Sequence, residues 1–372
     1  MSASPSLPRL VVVGGGILGT MHALAGVRRG FSVTQLERDE VPRGASVRNF
    51  GLIWVGGRAP GAELELALAA RERWEAIAAA APAAGFRSAG SLTLARRPEE
   101  LAVLEAAVEL EDAKARGFSL CSRAEAMAIE PALRGDFLAA LHCAQDAIVE
   151  PRLALSALRS SLQASGRYRY RGGCEIVELG DHHVVDATRT RHDADLVVCC
   201  PGASPAGALA EALAGAPLRR VRLQMLETAP FASPLASALA DGDSLRYYPA
   251  YAGPPREALG PQAPVPAAWT AQLLMVKRLA GHLTIGDTHQ YVEPFPFDLC
   301  AEPEQHLVEV AARLLATALP PIERRWAGIY SEVTDPALLY YRAELASGVV
   351  VVTGPGGRGM TLSPAIAEET FA

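Results

Sequence analysis

The segment Gly14-Gly15-Gly16-Ile17-Leu18-Gly19 follows the apolar run Leu10-Val-Val-Val13 directly. Gly14, Gly16 and Gly19 lack Cβ atoms, so a tight turn there can bring the backbone N–H groups of Ile17 and Leu18, and a helix N-terminus, close to a pyrophosphate. Glu37 stands about 20 residues further on, where a carboxylate accepts hydrogen bonds from ribose hydroxyls. This is dinucleotide chemistry, and by itself it does not separate NAD from FAD. A second glycine cluster, Gly354-Pro-Gly-Gly-Arg-Gly359, follows the apolar run Val349–Thr353 and precedes a helical pattern from about Met360. A nicotinamide enzyme has no need of it, whereas a helix N-terminus at that point would stabilise an anionic reduced flavin. Between these clusters, Ser46, Arg48 and Asn49 offer hydroxyl, guanidinium and amide groups to a phosphate or a ring system. An N-cap and a surface arginine are the plainer uses of the same residues.

These residues need a strand, a tight turn and a helix to hold them, and the chain supplies that order twice. Leu10–Val13 reads as a strand, the residues through Ala25 as a helix, and Ser32–Leu36 as a second strand. Asp195–Cys200 reads as a buried strand ending at Pro201-Gly202, where the backbone at Gly202 can approach a ligand. Glu63–Ala81 and Pro98–Arg116 read as long helices, with Gly85–Leu94 strand-like between them. A helix over Pro151–Ser165 is followed by strand pieces within Tyr168–Leu179 and His183–Asp186. From Arg219 to about Pro296 the pattern changes to short strands (Arg220–Glu227, Ala271–Lys277, His282–Asp287) around a Pro- and Gly-rich stretch. A helix over Pro303–Leu319 and the segment Trp326–Tyr330 lead to the last strand.

The set Gly14-x-Gly16-x-x-Gly19 with Glu37-Arg38, Ser46-x-Arg48-Asn49-Phe50-Gly51-x-x-Trp54, Leu223-Gln-Met-Leu226, Gly286-Asp-Thr-His289 and Thr353-Gly-x-Gly356-Gly357-x-Gly359-Met360-Thr361 resembles the D-amino-acid oxidase, glycine oxidase and sarcosine oxidase superfamily. Within it, the chain is similar to the oxidoreductases linked to 2-aminoethylphosphonate breakdown. The resemblance implies an α/β fold: an FAD-binding Rossmann-like domain of the D-amino-acid oxidase type with a sheet-rich α+β substrate domain. It implies an FAD domain from residues 1–81, 141–214 and 325–372, and a substrate domain from residues 82–140 and 215–324. It further implies noncovalent FAD held by the residues quoted, Gly51 and Gly202 among them. The reaction would be hydride removal from the carbon bearing a neutral amine, followed by hydrolysis of the imine. For a phosphonate substrate, with or without an N-methyl group, the product would be phosphonoacetaldehyde. Glycine, sarcosine or D-amino-acid oxidation on the same scaffold is the alternative, as is a flavin-binding protein without turnover. Pro201 and Arg358 depart from the family's usual small residues. The C-terminal loop holds no cysteine for a covalent flavin link.

A phosphonate needs two or more fixed donors, preferably guanidinium. Arg246 beside Tyr247 and Tyr248, Lys277 and Arg358 are the basic candidates, and Trp54, Tyr248 and Tyr330 the candidate walls. His289, polar within a strand-like segment, is the candidate residue facing the flavin. Lys277, one of two lysines beside 33 arginines, is the candidate for assisting electron transfer to oxygen, should oxygen rather than another acceptor reoxidise the cofactor. No acid–base constellation is evident, which suits a reaction whose electronic work belongs to a cofactor.

Composition narrows the classes further. The 372 residues are 50% hydrophobic and 20% charged, enough for a sizeable core, and 35 basic against 41 acidic residues leave a formal charge of −6. That balance lacks the basic footprint of a nucleic-acid binder. The six cysteines fall in no C-x-x-C or His-rich spacing, so neither a metal site nor a disulfide framework is indicated. Met1–Arg9 lacks the order of a signal peptide, and no uncharged apolar run reaches the roughly 18 residues of a membrane span. A soluble protein of a reducing cytoplasm is expected.

Overall fold

The chain builds two large sheets, each gathered from distant parts of the sequence. The computed structural model describes residues 7–372; most of the Met1–Arg9 segment, read for a signal peptide, lies outside them. The first sheet has six strands in the order Tyr341–Ala346, Val349–Thr353, Leu196–Cys199, Arg9–Val13, Ser32–Leu36 and Tyr168–Arg171. All neighbours are parallel except the first pair, which is antiparallel. A parallel sheet is covered on both faces, so its strands read as continuous apolar runs. Leu10 and Val12 pack in one apolar cluster and Val11 and Val13 in another. Three helices, Ile17–Arg28, Ala62–Ala80 and Gly359–Glu369, pack together on this sheet.

Trp74 locks that helical layer. Its side chain is fully buried and its indole Nε1 donates to the Met360 carbonyl at 2.9 Å, tying the second helix to the start of the last. Trp74→Ala should therefore cost about 3–5 kcal/mol, read from chemical denaturation of the flavin-loaded protein. A cost below about 0.5 kcal/mol, typical of a surface position, would show that the layer is not held there.

The second sheet has eight strands in the order Ile322–Val333, Leu218–Pro230, His282–Gly286, Leu274–Lys277, Ala238–Ala240, Ser91–Ala95, Ala139–Cys143 and Phe118–Ser122. Its longest pairing runs antiparallel from Leu218↔Val333 to Thr228↔Ile322. Three-stranded (Ile176–Gly180, His183–Asp186, Arg191–Asp193) and two-stranded (Leu52–Ile53, Ala147–Ile148) sheets complete the fold.

Three sequence expectations change. Divisions at residues 141 and 325 would cut through Ala139–Cys143 and Ile322–Val333, which both belong wholly to the eight-stranded sheet. The single helix expected over Pro98–Arg116 is two, Pro98–Val108 and Ala113–Arg116. The break turns Arg116 inward, where its buried guanidinium donates to the Gly56 and Arg58 carbonyls at 2.9 and 2.8 Å and to Asp112. A straight helix would leave that side chain on the outside. The strand Tyr341–Ala346 is not among the expected elements, although half-buried Tyr341, Ala343 and Leu345 alternate regularly with exposed Arg342 and Glu344.

Candidate active site

One cavity of about 700 Å³ runs between the two large sheets, lined from Glu37 and Gly14 at one part to Tyr330 and His289 at another. Its first wall is the turn after Arg9–Val13. Gly14 has φ 113°, and a Cβ there would sit 2.3 Å from the Cys200 carbonyl oxygen, so only glycine closes the turn against the neighbouring strand. Its N–H donates to Leu36 O, and the Gly15 N–H donates to Glu37 Oε2 at 2.6 Å. The Ile17 N–H donates to Ser46 Oγ at 2.9 Å. No acidic residue lies in the first turn of Ile17–Arg28, so the positive end of that helix faces the cavity uncompensated.

The second wall is the C-terminal junction. Val349–Thr353 ends in the loop from Gly354, and the helix Gly359–Glu369 starts without a side-chain cap or an acidic first turn. Gly356, Gly357, Arg358, Gly359 and Met360 all line the cavity. Thr361 Oγ1 accepts from Trp54 N at 2.9 Å and so holds the loop around Trp54 against this junction.

Most expected site residues are brought together. Ile17, Leu18, Gly16, Gly19, Arg38, Ser46, Arg48, Asn49, Gly202, Trp54, Tyr248, Tyr330, Arg358 and His289 line the same cavity. Some reach it with their polar groups already engaged. Asn49 donates to Ala45 O and accepts from Gly51 N, so its amide shapes its own loop. Arg38 donates to Ser204 O and Arg48 to Ala327 O.

Three expected residues are not delivered. Lys277 lies outside the lining and donates from Nζ to Ser233 O at 2.8 Å. Leu274 of the same strand does line the cavity, and residues an odd number of positions apart point to opposite faces, which sends Lys277 away. Arg246 also lies outside, donating to Gly260 O at 2.5 Å and facing Asp243 at 3.7 Å. Gly51 pairs with Val149 through its carbonyl and lines a turn rather than the cavity.

Arg58, Glu63, Asp287, Tyr247 and Gln272 also line the cavity, though none is among the expected site residues. Arg58 is buried, donates from Nε to Trp54 O at 2.7 Å and lies 3.4 Å from Glu63, which also stands 3.7 Å from Arg358. Burial lowers the Arg358 pKa while Glu63 opposes that shift. The guanidinium pair thus shares one carboxylate on the cavity wall. Asp287 lines the cavity near His289, with Oδ2 3.7 Å from His289 Nε2. Burial pushes the Asp287 carboxyl above its ordinary range, with His289 and a Gln272 hydrogen bond acting the other way. Tyr247 stacks on His289 at 4.3 Å, and Gln272 completes the group. Arg58 had a local signal, the Gly56-Gly57-Arg58 turn four residues past Trp54; Glu63 had none beyond a helix start.

The cavity fits FAD on its own chemistry. Gly16 leaves open a space that a Cβ would fill, 3.0 Å from Ser46 Oγ. Gly202 has nothing within 4 Å of its Cβ position. The buried Trp54 Nε1, Tyr330 OH and Gln272 Oε1, all on lining residues, have no hydrogen-bond partner in the protein. Buried polar atoms of native proteins are nearly always paired, so such atoms around one cavity mark a ligand's place. The residues that would hold it are the Gly14–Gly19 turn, Glu37, Ser46 and the Gly356–Met360 junction.

Comparison with known proteins agrees with that fit. Residues 9–372 match the family described as "FAD dependent oxidoreductase". An opine oxidase subunit from Rhizobium meliloti is 29% identical over 182 residues, covering 45% of this chain and 49% of that protein. The match thus spans about half the length of that curated relative. Glycine oxidase from Geobacillus kaustophilus is similar in structure, with a TM-score of 0.75 at 19% identity over 97% of this chain and 93% of the other. L-proline dehydrogenase from P. horikoshii has a TM-score of 0.77 at 19% identity, covering 98% of this chain and 92% of the other. Among the described residues no helix is long and apolar enough to cross a membrane.

Proposed function

The chain belongs to the FAD-dependent oxidoreductases, and from that premise we propose that it oxidises the carbon–nitrogen bond of a small amine bearing an anionic group, with 2-aminoethylphosphonate or its N-methyl derivative as substrate. The observation that supports this reading is the pair Arg58 and Arg358 on the wall of the cavity that also holds Asp287 and His289. A zwitterionic amine needs both a cationic and an anionic partner, and this wall offers both. FAD, when bound, would supply the acceptor for the hydride leaving the carbon that bears the amine, and the protein's part is to bind and orient. Arg58 and Arg358 hold the anion, and the Asp287 carboxylate faces the amine and takes its proton at Oδ2. Trp54, Tyr248 and Tyr330 exclude water from the carbon between them.

One observation favours a second reading. Glu63 offsets one of the two guanidinium charges, leaving a net single positive charge, which suits the carboxylate of glycine, sarcosine or a D-amino acid. Steady-state kcat/KM for 2-aminoethylphosphonate, its N-methyl derivative, glycine and sarcosine separates the two readings. A higher value for either phosphonate supports the first; turnover of the carboxylates alone would replace it with the second. Peroxide released in air identifies oxygen as the acceptor, and turnover only with an added dye identifies another.

The Asp287 role has its own pH signature. Its carboxylate form must be present, its pKa is raised by burial, and activity is lost as pH falls through that raised value. The acid limb of kcat/KM should therefore lie above the ordinary aspartate value of about 3.9. Asp287→Asn should remove that limb and lower kcat/KM by roughly 10²–10⁴-fold, the range for a positioned proton acceptor. An unchanged acid limb in Asp287→Asn would exclude this role.

A further inference from the structure

The three-stranded sheet beside the cavity gathers a cysteine, a carboxylate and an imidazole that have no role in the proposed reaction, although the cysteine, Cys174, lines the cavity. Cys174 Sγ lies 3.4 Å from Asp186 Oδ2, His192 Nε2 lies 2.9 Å from the same oxygen, and sulfur and imidazole nitrogen are 3.9 Å apart. Asp186 is buried, and Cys174 and His192 are largely shielded from solvent. We propose that Cys174, Asp186 and His192 form a binding site for one divalent transition-metal ion of the zinc type.

Geometry supports the assignment first. Zinc bonds of about 2.3 Å to sulfur, 2.0–2.1 Å to nitrogen and 2.0–2.2 Å to oxygen, arranged tetrahedrally, separate the ligand atoms by about 3.3–3.6 Å. The observed separations depart from that by about half an ångström or less, so an ion enters with small side-chain movements. Among the described residues this is the one group of His, Cys, Asp and Glu side chains with three ligand atoms so close together.

The surroundings support it second. Asp186 uses its other oxygen, Oδ1, to accept from Thr188 N at 2.9 Å, Thr188 Oγ1 at 2.6 Å and Thr190 N at 3.0 Å. Those bonds leave Oδ2 aimed at the sulfur and the imidazole, the arrangement by which outer hydrogen bonds orient a metal ligand. Charge supports it third. A thiolate and a carboxylate with a neutral imidazole balance a dication, so the buried site ends electrically neutral. On binding, the thiol proton passes to solvent, the imidazole presents the Nε2 lone pair, and a water fills the fourth position.

No sequence motif announces this set, because its ligands stand on the approach to one strand, at the end of a second and within a third. Cys174, Glu175 and Ile176 all line the cavity. The ion would thus clip the small sheet to the cavity wall.

The test uses the flavin-loaded protein, treated with chelator, dialysed and titrated with Co²⁺ alone. A thiolate-to-cobalt charge-transfer band should grow to saturation at one ion per chain and be abolished by Zn²⁺. Cys174→Ser should lose the band, and His192→Gln, which removes a direct ligand, should weaken Zn²⁺ binding by more than the roughly 10-fold that losing an outer hydrogen-bond partner costs. Cys300→Ser should keep both properties, and retained flavin absorbance shows that each variant is folded. The parent protein decides the matter even if a variant misfolds. Absence of the band in the parent at saturating Co²⁺, or its persistence in folded Cys174→Ser, would overturn the site.

Discussion

Gly16→Val is expected to yield a folded but colourless protein. Gly16 has an ordinary backbone conformation, so valine imposes no left-handed strain there. What it adds is volume, beginning with a Cβ 3.0 Å from Ser46 Oγ and extending into the space beside the helix N-terminus. A pyrophosphate must come to hydrogen-bond distance of the same backbone. FAD affinity should fall by at least about a hundredfold, or about 2.8 kcal/mol, read as flavin absorbance after reconstitution of the apoprotein. Gly14→Ala makes the contrast, because its Cβ would meet the Cys200 carbonyl at 2.3 Å at a φ of 113°. That variant should lose the fold as well as the colour. A yellow Gly16→Val protein with parental affinity would move the pyrophosphate away from this turn.

Arg358→Met should change which amines are used. The guanidinium is bound to Pro355 O and lies near Glu63 while lining the cavity. Charge-assisted hydrogen bonds are worth about 1.5–3 kcal/mol, and about 1.4 kcal/mol is a factor of ten in rate. The ratio of kcat/KM for 2-aminoethylphosphonate to that for sarcosine should therefore fall roughly tenfold or more. Arg58→Met should act in the same direction with an added cost in stability, since Arg58 also ties down the Trp54 carbonyl. Arg246→Met, whose guanidinium is spent on Gly260 O outside the cavity, should leave the ratio unchanged. A uniform loss across all amines in Arg358→Met would assign Arg358 to flavin positioning.

The contrast between these arginines shows what the sequence could disclose. Gly14–Gly19, Glu37 and Gly354–Gly359 were legible because turn, strand and helix are local patterns, and each places its own backbone. Lys277 was misplaced because residue type does not reveal which face of a strand is the cavity face. Leu274 shows that face to be the one opposite Lys277. Arg58 and Glu63 stand five residues apart but are separated from Arg358 by most of the chain, and only the packing of Ala62–Ala80 on Gly359–Glu369 brings the three charges together. Asp287 lay within a quoted segment, yet its burial, which gives it chemistry, is a property of the sheet around it.

On the proposed reading, the cavity binds FAD where a small amine carrying an anion can reduce it. The direct measurement is anaerobic: the purified yellow protein is mixed with saturating 2-aminoethylphosphonate, its N-methyl derivative, glycine or sarcosine, and the flavin spectrum is followed. Bleaching by at least one of these amines is expected, with the Arg358→Met protein bleached more slowly by the same compound. A flavin that dithionite bleaches but none of these amines does would contradict it.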